Sequence, residues 1–355
     1  MVPPKLECCV GQRQVLLRPN PKVVDGRFLL YALQSPQVQH EISWSEGTGS
    51  TVSNVRIPVL EALRIPTPDL TTQQEIGVVL GMLDDRIDLL RQTNATLESI
   101  AQALFKSWFI DFDPVRAKAE GREPAGMDAA TVALFPAEFD ESELGPVPKG
   151  WTVQPIGDLV EAVGGSTPDT KNEAFWVPAV HHWTSPKDLS GATAPVLLDT
   201  ERKVSDAGLA KISSGLLPAG TLLMSSRAPI GYLSLSQVPV AINQGYIAMP
   251  PGSRLPPEYL YFWCQLNMEA IKGRANGSTF MEISKKAFRP IPALLPSPEV
   301  VNQFHEFATT VFSRVTANER QARALADLRD TLLPRLISGK LRLQEVQVEG
   351  EEALA

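Results

Sequence analysis

The sequence predicts an α+β protein in which globular α/β units are joined by two long helices that form a coiled coil. Three observations lead to this prediction: leucines spaced by seven in two stretches, short apolar runs separated by Gly and Pro between those stretches, and an internal repeat. The predicted order is a short globular unit over 1–69, a long helix over 70–110, a linker over 111–150, a globular unit over 151–298, a second long helix over 299–343, and an acidic, disordered tail over 344–355.

Length and composition are those of an ordinary soluble protein with two or three domains: 355 residues, 43% hydrophobic and 21% charged. No apolar run approaches the ~20 residues that span a bilayer, and the N-terminus lacks the layout of a signal peptide. We therefore expect a cytoplasmic protein without a membrane partner. Three cysteines, Cys8, Cys9 and Cys264, are too few for a disulfide framework and have no spacing typical of zinc sites.

The net charge of −7 argues against a nucleic-acid partner, but the charge is unevenly distributed. Residues 71–150 carry 14 acidic and 7 basic side chains, whereas residues 151–298 carry 11 and 12. The near-neutral second segment is therefore compatible with a local basic face.

An internal repeat relates the two ends of the chain at offsets of 226 to 231 residues. The matching pairs are RFLLYALQS (27–35) with EYLYFWCQL (258–266), Gly49-Ser50-Thr51 with Gly277-Ser278-Thr279, Ile65-Pro66 with Ile291-Pro292, and Leu97 and Leu104 with Leu325 and Leu332. Each copy is predicted to contain an amphipathic helix, a Gly-Ser-Thr loop, an exit strand at Ile-Pro and a long helix. The first copy has no counterpart of residues 151–238, so we expect its globular unit to be cut short.

The first long helix follows an a/d heptad pattern over residues 71–109, which is typical of a coiled coil. One seam contains Leu83, Leu90, Leu97 and Leu104, and the other contains Leu80, Ile87, Asn94 and Ala101. Thr71 or Thr72 with Glu75 predicts a capping box at its start.

The second long helix repeats this pattern and is expected to pack against the first. Its seams contain Val311, Asn318, Leu325 and Leu332, and Ala308, Val315 and Ala322. Pro334 is expected to break the helix, and Gly339 to end it. Asn94 and Asn318 are polar seam residues with two interpretations: they set the register, or they mark a partly exposed seam beside a partner.

The stretch LESIAQALFKSWFIDFDPVRAKAEG (97–121) raises three alternatives: a catalytic acid cluster, a metal site, or the end of a helix. Phe105 and Trp108 are predicted to cap the packed end of the helix or to bind a partner. Asp111 and Asp113 are predicted to be exit-loop residues or partner contacts, because Pro114 stops the helix. The Pro- and acid-rich segment 111–150 has the composition of a linker or docking segment, not of a core.

The segment 151–298 is predicted to hold a strand and a short helix at its start, a turn at Gly164-Gly165, and several strands over 216–251. Its cations and small polar side chains suit contacts to phosphates and base edges. The candidate DNA contacts are Arg227, Asn243, Gln244, Lys272, Arg274, Asn276, Ser278, Thr279, Lys285 and Lys286.

His181-His182-Trp183 is predicted to be a polar loop that is exposed or offers Trp183 for base stacking, since no further ligand stands at helical spacing for a metal. Ser225-Ser226 lacks a nucleophile elbow, and no glycine-rich phosphate loop is present. The residues assemble no nucleophile, base and orienting group.

Several long motifs resemble the specificity subunit of Type I restriction–modification systems. Residues 65–118 are similar to the family's central conserved region, and LADLRDTLLPRLISGKLRL (325–343) to its C-terminal one. GGSTPDTKNEAFW, WTSPKDLS, SSRAPIGYL and AINQGY resemble motifs of its target-recognition domains. The resemblance covers nearly the whole chain.

This resemblance implies two target-recognition domains separated by two conserved helices that pair antiparallel and act as a ruler. Each domain would read one half of a bipartite double-stranded DNA target. The subunit would be non-catalytic, and it would assemble with modification (methyltransferase) subunits and a restriction subunit that translocates DNA. S-adenosylmethionine, ATP and Mg would belong to those partners, and Asp111 and Asp113 would contact a modification subunit.

Two alternatives stay open. Because the first recognition domain is expected to be incomplete, the chain could act only as a scaffold that reads no sequence, or could self-associate. The other alternative is an enzyme that uses Asp111 and Asp113 with a metal.

Overall fold

The structure is a computed structural model that describes residues 11, 14–44, 56–277 and 281–342. It divides into two compact units, formed by residues 1–90 with 321–355 and by residues 91–320. Within the described part of the chain, no helix is long and apolar enough to cross a membrane.

Helices dominate the first unit, and the second is mixed. The helices are α1 (Gly26–Gln34), α2 (Pro36–Trp44), α3 (Ile57–Ala62), α4 (Leu70–Phe109), α5 (Asp113–Ala119), α6 (Ala129–Ala133), α7 (Ile156–Leu159), α8 (Pro186–Leu189), α9 (Asp206–Leu209), α10 (Pro257–Leu266), α11 (Met268–Gly273), α12 (Lys285–Phe288) and α13 (Pro298–Ile337). The strands are β1 (Phe139–Ser142), β2 (Gly145–Pro148), β3 (Thr152–Pro155), β4 (His181–Thr184), β5 (Val196–Leu197), β6 (Arg202–Val204), β7 (Leu222–Ser225), β8 (Leu233–Ser236), β9 (Val240–Ile242), β10 (Tyr246–Met249) and β11 (Pro292–Leu295).

In the first unit, α1 packs its apolar face onto the two long helices. Asp25 caps α1 by accepting hydrogen bonds from the backbone N–H groups of Arg27 and Phe28, both at 2.9 Å. Phe28, Tyr31 and Ala32 are buried in one apolar cluster whose other buried members are Ile76, Leu80, Leu332, Leu333, Leu336, Ile337 and Leu341. The predicted amphipathic helix over 27–35 is therefore confirmed. Its counterpart over 258–266 is also a helix, α10, but residues 259–264 are all buried, so α10 is a core helix and not an amphipathic one.

The exit strand predicted at Ile65-Pro66 is wrong, because residues 63–69 form no strand. Pro66 and Pro68 have no N–H to donate to a ladder. The counterpart at Pro292 does form strand β11, because β3 lies beside it as an antiparallel partner.

The predicted long helix over 70–110 is confirmed by α4, but its cap differs from the prediction. Asp69 accepts hydrogen bonds from the backbone N–H and the hydroxyl of Thr72, at 3.0 and 2.7 Å. The hydroxyl of Thr72 and then its N–H hold the pKa of Asp69 below its usual value. The capping box predicted at Thr71 or Thr72 is therefore replaced by a cap at Asp69.

Pro334 does not break α13, contrary to the prediction, because it lies inside the helix, which continues to Ile337. An internal proline costs about 3 kcal/mol or more. Burial of Leu332, Leu333 and Leu336 on both sides of it offsets that cost. Gly339 has a positive φ of 70° and follows the helix end, as predicted.

The second unit contains two larger sheets and two strand pairs. The orders are β10-β7-β8-β5, β6-β4-β9, β11-β3 and β1-β2. Four strands (β7 to β10) occupy the stretch 216–251, and β3 followed by α7 begins the segment 151–298; both predictions are confirmed. The stretch at His181 is not a loop as predicted, because His181–Thr184 forms β4 between β6 and β9.

The segment 111–150 is part of the core of the second unit. Val115 is fully buried, and Phe135 and Val147 are nearly so. These side chains join the same apolar cluster as Phe105 on α4 and Phe304 on α13. The prediction that this segment stays out of the core is therefore wrong. Although the segment is rich in proline, it contains a few large apolar residues that pack on the helix ends.

Candidate nucleic-acid interface

Loops from four strands of the second unit meet at one edge. Strands β7 and β10 pair antiparallel with Ser225 opposite Tyr246, and β4 and β9 pair parallel with Thr184 opposite Ile242. Only three residues, 243–245, connect β9 to β10, so the ends of the two sheets lie together. The backbone N–H of residue 226 donates to the carbonyl of residue 245 at 2.8 Å.

We call this surface the polar edge and define it as residues 164–167, 226–230, 243–245, 272–277 and 281–286. Its ranges are connected by hydrogen bonds between backbones: Ile283 N–H to Ser226 O and Asn276 N–H to Glu282 O, both at 3.0 Å. Most candidate side chains on it are exposed, because they lie in loops or on the short surface helices α11 and α12. The exposed candidates are Gln244, Lys272, Arg274, Asn276, Lys285 and Lys286.

Arg227 and Asn243 are half-buried on the polar edge. Arg227 lies 3.7 Å from the carboxylate of Glu282, and the two residues also pair as an isolated β-bridge. Glu282 therefore lowers the net positive charge beside the guanidinium. The structure brings these predicted residues together, whereas Ser278 and Thr279 lie outside the described residues.

Lys285 connects the polar edge to a loop that the candidate list missed. Its side chain lies along Gly164, where an added Cβ would be 3.4 Å from Lys285 Cε. The next glycine, Gly165, lies so close to β9 that a Cβ would be 1.8 Å from the carbonyl oxygen of Ile242. Only glycine fits this close approach. The loop brings Thr167 to the polar edge, where its hydroxyl donates to Gln244 Oε1 at 2.6 Å.

The two histidines of β4 pair with acids of the same unit and do not form a metal site. His181 Nε2 lies 2.7 Å from Asp206, and His182 Nδ1 lies 3.0 Å from Asp199. Burial, followed by the charge of Lys203, lowers the pKa of His182. Among the described residues, no three His, Cys, Asp or Glu side chains converge as metal ligands.

Trp183 is buried, so the suggestion that it stacks on a base is wrong. Its ring packs edge-on against Trp176 at 5.3 Å between centroids. Its indole N–H donates to the carbonyl of Ser166 at 3.3 Å. Trp183 thus supports the loop that carries Thr167.

Two of the four predicted partner-binding residues are core residues. Phe105 is fully buried and Trp108 is 5% exposed. Phe105 contacts Tyr259 and Phe304 with ring centroids at 4.8 and 5.4 Å. A partner cannot reach the Phe105 ring, so this part of the prediction is wrong, and the alternative that both residues close the packed end of the helix agrees with the structure.

Asp111 and Asp113 lie where α4 gives way to α5. Asp111 forms an ion pair with Lys106, and Asp113 is exposed in the first turn of α5. Lys106 thus neutralises one of the two carboxylates. Their role as partner contacts stays a prediction.

The predicted seams of the long helices pack to different extents. In α4 the deeper seam is Leu80, Ile87, Asn94 and Ala101, each at most 2% exposed. In the leucine seam, Leu90 is buried, and Leu83, Leu97 and Leu104 are partly buried. On α13, Val311 and Leu332 are buried and Leu325 is partly buried beside Ile87, Leu90 and Ala322.

Asn94 and Asn318 meet inside the seam. Asn318 Nδ2 donates to Asn94 Oδ1 at 2.8 Å, and the two residues are 2% and 3% exposed. The interpretation of a partly exposed seam is therefore wrong. Two carboxamides that satisfy each other only in one alignment favour the register-setting interpretation.

Replacing Asn94 by alanine should destabilise the helix pair. Asn318 would keep a buried amide without its acceptor, which costs about 1–3 kcal/mol. The double substitution Asn94→Leu with Asn318→Leu should recover most of this loss, since it removes both polar groups. Urea unfolding measures both, with Ser99→Ala on the exposed face of α4 as the control. A loss within 0.5 kcal/mol for Asn94→Ala, on the order of a surface substitution, would contradict the pairing.

Comparison with known proteins identifies the family. The model of the Type I restriction modification DNA specificity domain matches residues 3–99 and 148–324, more than half of the chain. The chain belongs to this family. As a member of the DNA specificity subunits, it serves sequence recognition in Type I restriction–modification and is itself non-catalytic, as predicted.

Two curated relatives and one solved structure are similar to this chain. The chain is 29% identical over 374 residues to the Type I restriction enzyme HindI specificity subunit of Haemophilus influenzae, covering 94% of this chain and 81% of the relative. It is 36% identical over 164 residues to the MjaIX specificity subunit of Methanocaldococcus jannaschii, covering 46% and 38%. The S subunit structure from M. genitalium shares the fold at a TM-score of 0.54 and 18% identity, covering 90% and 74%.

Proposed function

We propose that the polar edge of this specificity subunit reads one half of a bipartite DNA target. The observation that carries the proposal is convergence: side chains from separate loops, with cations and carboxamides among them, lie on one surface of the second unit. Cations can neutralise phosphates and set the position on the duplex. Carboxamides can donate to and accept from base edges in the major groove.

The arrangement suits recognition better than catalysis. Arg227, Asn243 and Gln244 are held by neighbours of the same surface, at Glu282, Gly245 and Thr167. Such preorganised side chains give up little conformational entropy on binding. The acid alternative has weaker support, because Asp111 already pairs with Lys106.

The subunit would act inside a larger complex in the cytoplasm. We propose modification (methyltransferase) subunits and a restriction subunit as its partners, with S-adenosylmethionine, ATP and Mg bound by them. Asp111 and Asp113 are exposed enough to contact a modification subunit. The pairing of α4 with α13 would set the distance between the two half-sites.

Competition between duplexes tests the proposal. The full chain, purified with its modification subunits, is bound to a labelled duplex that carries the target taken from the host's methylated sites. Unlabelled target should compete at least about 10³-fold better than random duplex at physiological salt. Equal competition at raised salt would leave the chain with phosphate contacts only, and would favour the alternative of a scaffold without sequence readout.

A further inference from the structure

The geometry points to guanine recognition by Asn243 and Gln244, whose carboxamide NH₂ groups would donate to the base. Thr167 is the positioning residue. This inference rests on the proposed function and adds the identity of a base to it. The observation behind it is the orientation of two neighbouring carboxamide groups.

Each of the two carboxamides turns its oxygen toward the protein. Asn243 Oδ1 accepts the backbone N–H of Gly245 at 2.8 Å, and Gln244 Oε1 accepts the hydroxyl of Thr167 at 2.6 Å. Neither Asn243 Nδ2 nor Gln244 Nε2 donates to any residue that the structure describes. Since the amide is planar, fixing its oxygen toward the protein turns its NH₂ group away from that contact.

The loop that carries Thr167 is itself fixed. The Ser166 N–H donates to Ile242 O at 3.1 Å, and the Ser166 carbonyl accepts the indole N–H of Trp183 at 3.3 Å. The Ser166 hydroxyl accepts the N–H of Ser213 at 3.2 Å. Thr167 therefore orients the Gln244 carboxamide from a loop that is itself hydrogen-bonded to its neighbours.

A side chain that presents only hydrogen-bond donors to the DNA discriminates among the bases. In the major groove, guanine presents two acceptors, N7 and O6, whereas adenine pairs one acceptor with the N6 amino donor. A free glutamine matches adenine because it offers both an acceptor and a donor. A glutamine whose oxygen is held by Thr167 presents its donor to the base, so a guanine edge suits it and the amino group of adenine opposes it.

Selection from a duplex library with a randomised central stretch tests the inference, using the full chain with its modification subunits. Selection with the wild type should enrich a target that has guanine at one particular position. Selection with Gln244→Ala should enrich the same target with any base at that position. Thr167→Val should let adenine share that position, because it releases the oxygen. Gln92→Ala and Thr310→Val, both exposed on the long helices, serve as controls and should enrich the wild-type target.

Guanine at that position is then replaced by 7-deazaguanine, which lacks the N7 acceptor. Affinity should fall about tenfold for the wild type and stay unchanged for Gln244→Ala. The inference is overturned if Gln244→Ala leaves the target unchanged, or if the position it relaxes is not guanine. Thr167→Val with an unaltered guanine preference overturns the positioning role. A wild type that enriches no sequence overturns the proposed function itself, which separates the two failures.

Discussion

Removing four exposed cations from the polar edge is expected to weaken duplex binding by on the order of 10²–10³-fold at 0.15 M salt. Each neutralised phosphate adds about 0.9 to the slope of log affinity against log salt, so the loss of four contacts should flatten the slope by up to about 3.6. The four substitutions are Lys272→Ala, Arg274→Ala, Lys285→Ala and Lys286→Ala. Fluorescence anisotropy over a salt series measures both quantities.

A control with the same charge change separates this effect from a change in net charge. It removes four exposed cations away from the polar edge: Lys106, Arg122, Lys149 and Arg314. Three of them pair with acids in the acidic part of the chain. If the control weakens binding as much as the four substitutions, or if those leave affinity and slope unchanged, the polar edge is not the DNA face.

Phe105→Ala is expected to destabilise the second unit by about 3–5 kcal/mol. The Phe105 ring is fully buried and lies between Phe109 and Tyr259, at 4.9 and 4.8 Å between centroids. Truncation removes apolar contacts and leaves a cavity where α4, α10 and α13 meet. Denaturant unfolding followed by tryptophan fluorescence reports this core, because Trp108 and Trp151 lie in it.

Ile100→Ala provides the comparison, since Ile100 lies on the same helix with half of its surface exposed, 51%. It should change the free energy of unfolding by no more than about 0.5 kcal/mol. The loss in free energy of unfolding for Phe105→Leu should lie between the losses for Phe105→Ala and Ile100→Ala. A loss below about 1 kcal/mol for Phe105→Ala would restore the possibility that Phe105 serves a partner and not the core.

The elements that periodicity governs were predictable from the sequence. Heptads placed both long helices, and alternating apolar runs with Gly and Pro placed β7 to β10. The predictions that were wrong concern elements whose conformation depends on tertiary contacts. The same Ile-Pro motif forms a strand at Pro292, beside β3, but not at Pro66. Pro334 stays in α13 because flanking leucines are buried.

The site was predicted less completely than the fold. Most residues of the polar edge could be predicted from their chemical type, since cations and carboxamides are the side chains that bind phosphates and base edges. Thr167 was missed because its role comes from a hydrogen bond to a residue 77 positions away. The Gly164-Gly165 pair before it was the available signal, because paired glycines often allow a close backbone approach. The sequence left Phe105 and Trp108 between a packing role and a partner-binding role, because burial of aromatic residues beside a proline-rich segment has no local signature.

DNA base methylation across the host genome is the most direct measurement of whether this chain supplies DNA sequence specificity. The genome is sequenced for modified bases in the wild type, in a strain lacking the chain, and in a strain with the four cation substitutions on the polar edge. Methylation at one bipartite sequence should be complete in the wild type, absent in the deletion strain and strongly reduced with the substitutions. The same sequence methylated to the same extent in the deletion strain would contradict the role as specificity subunit.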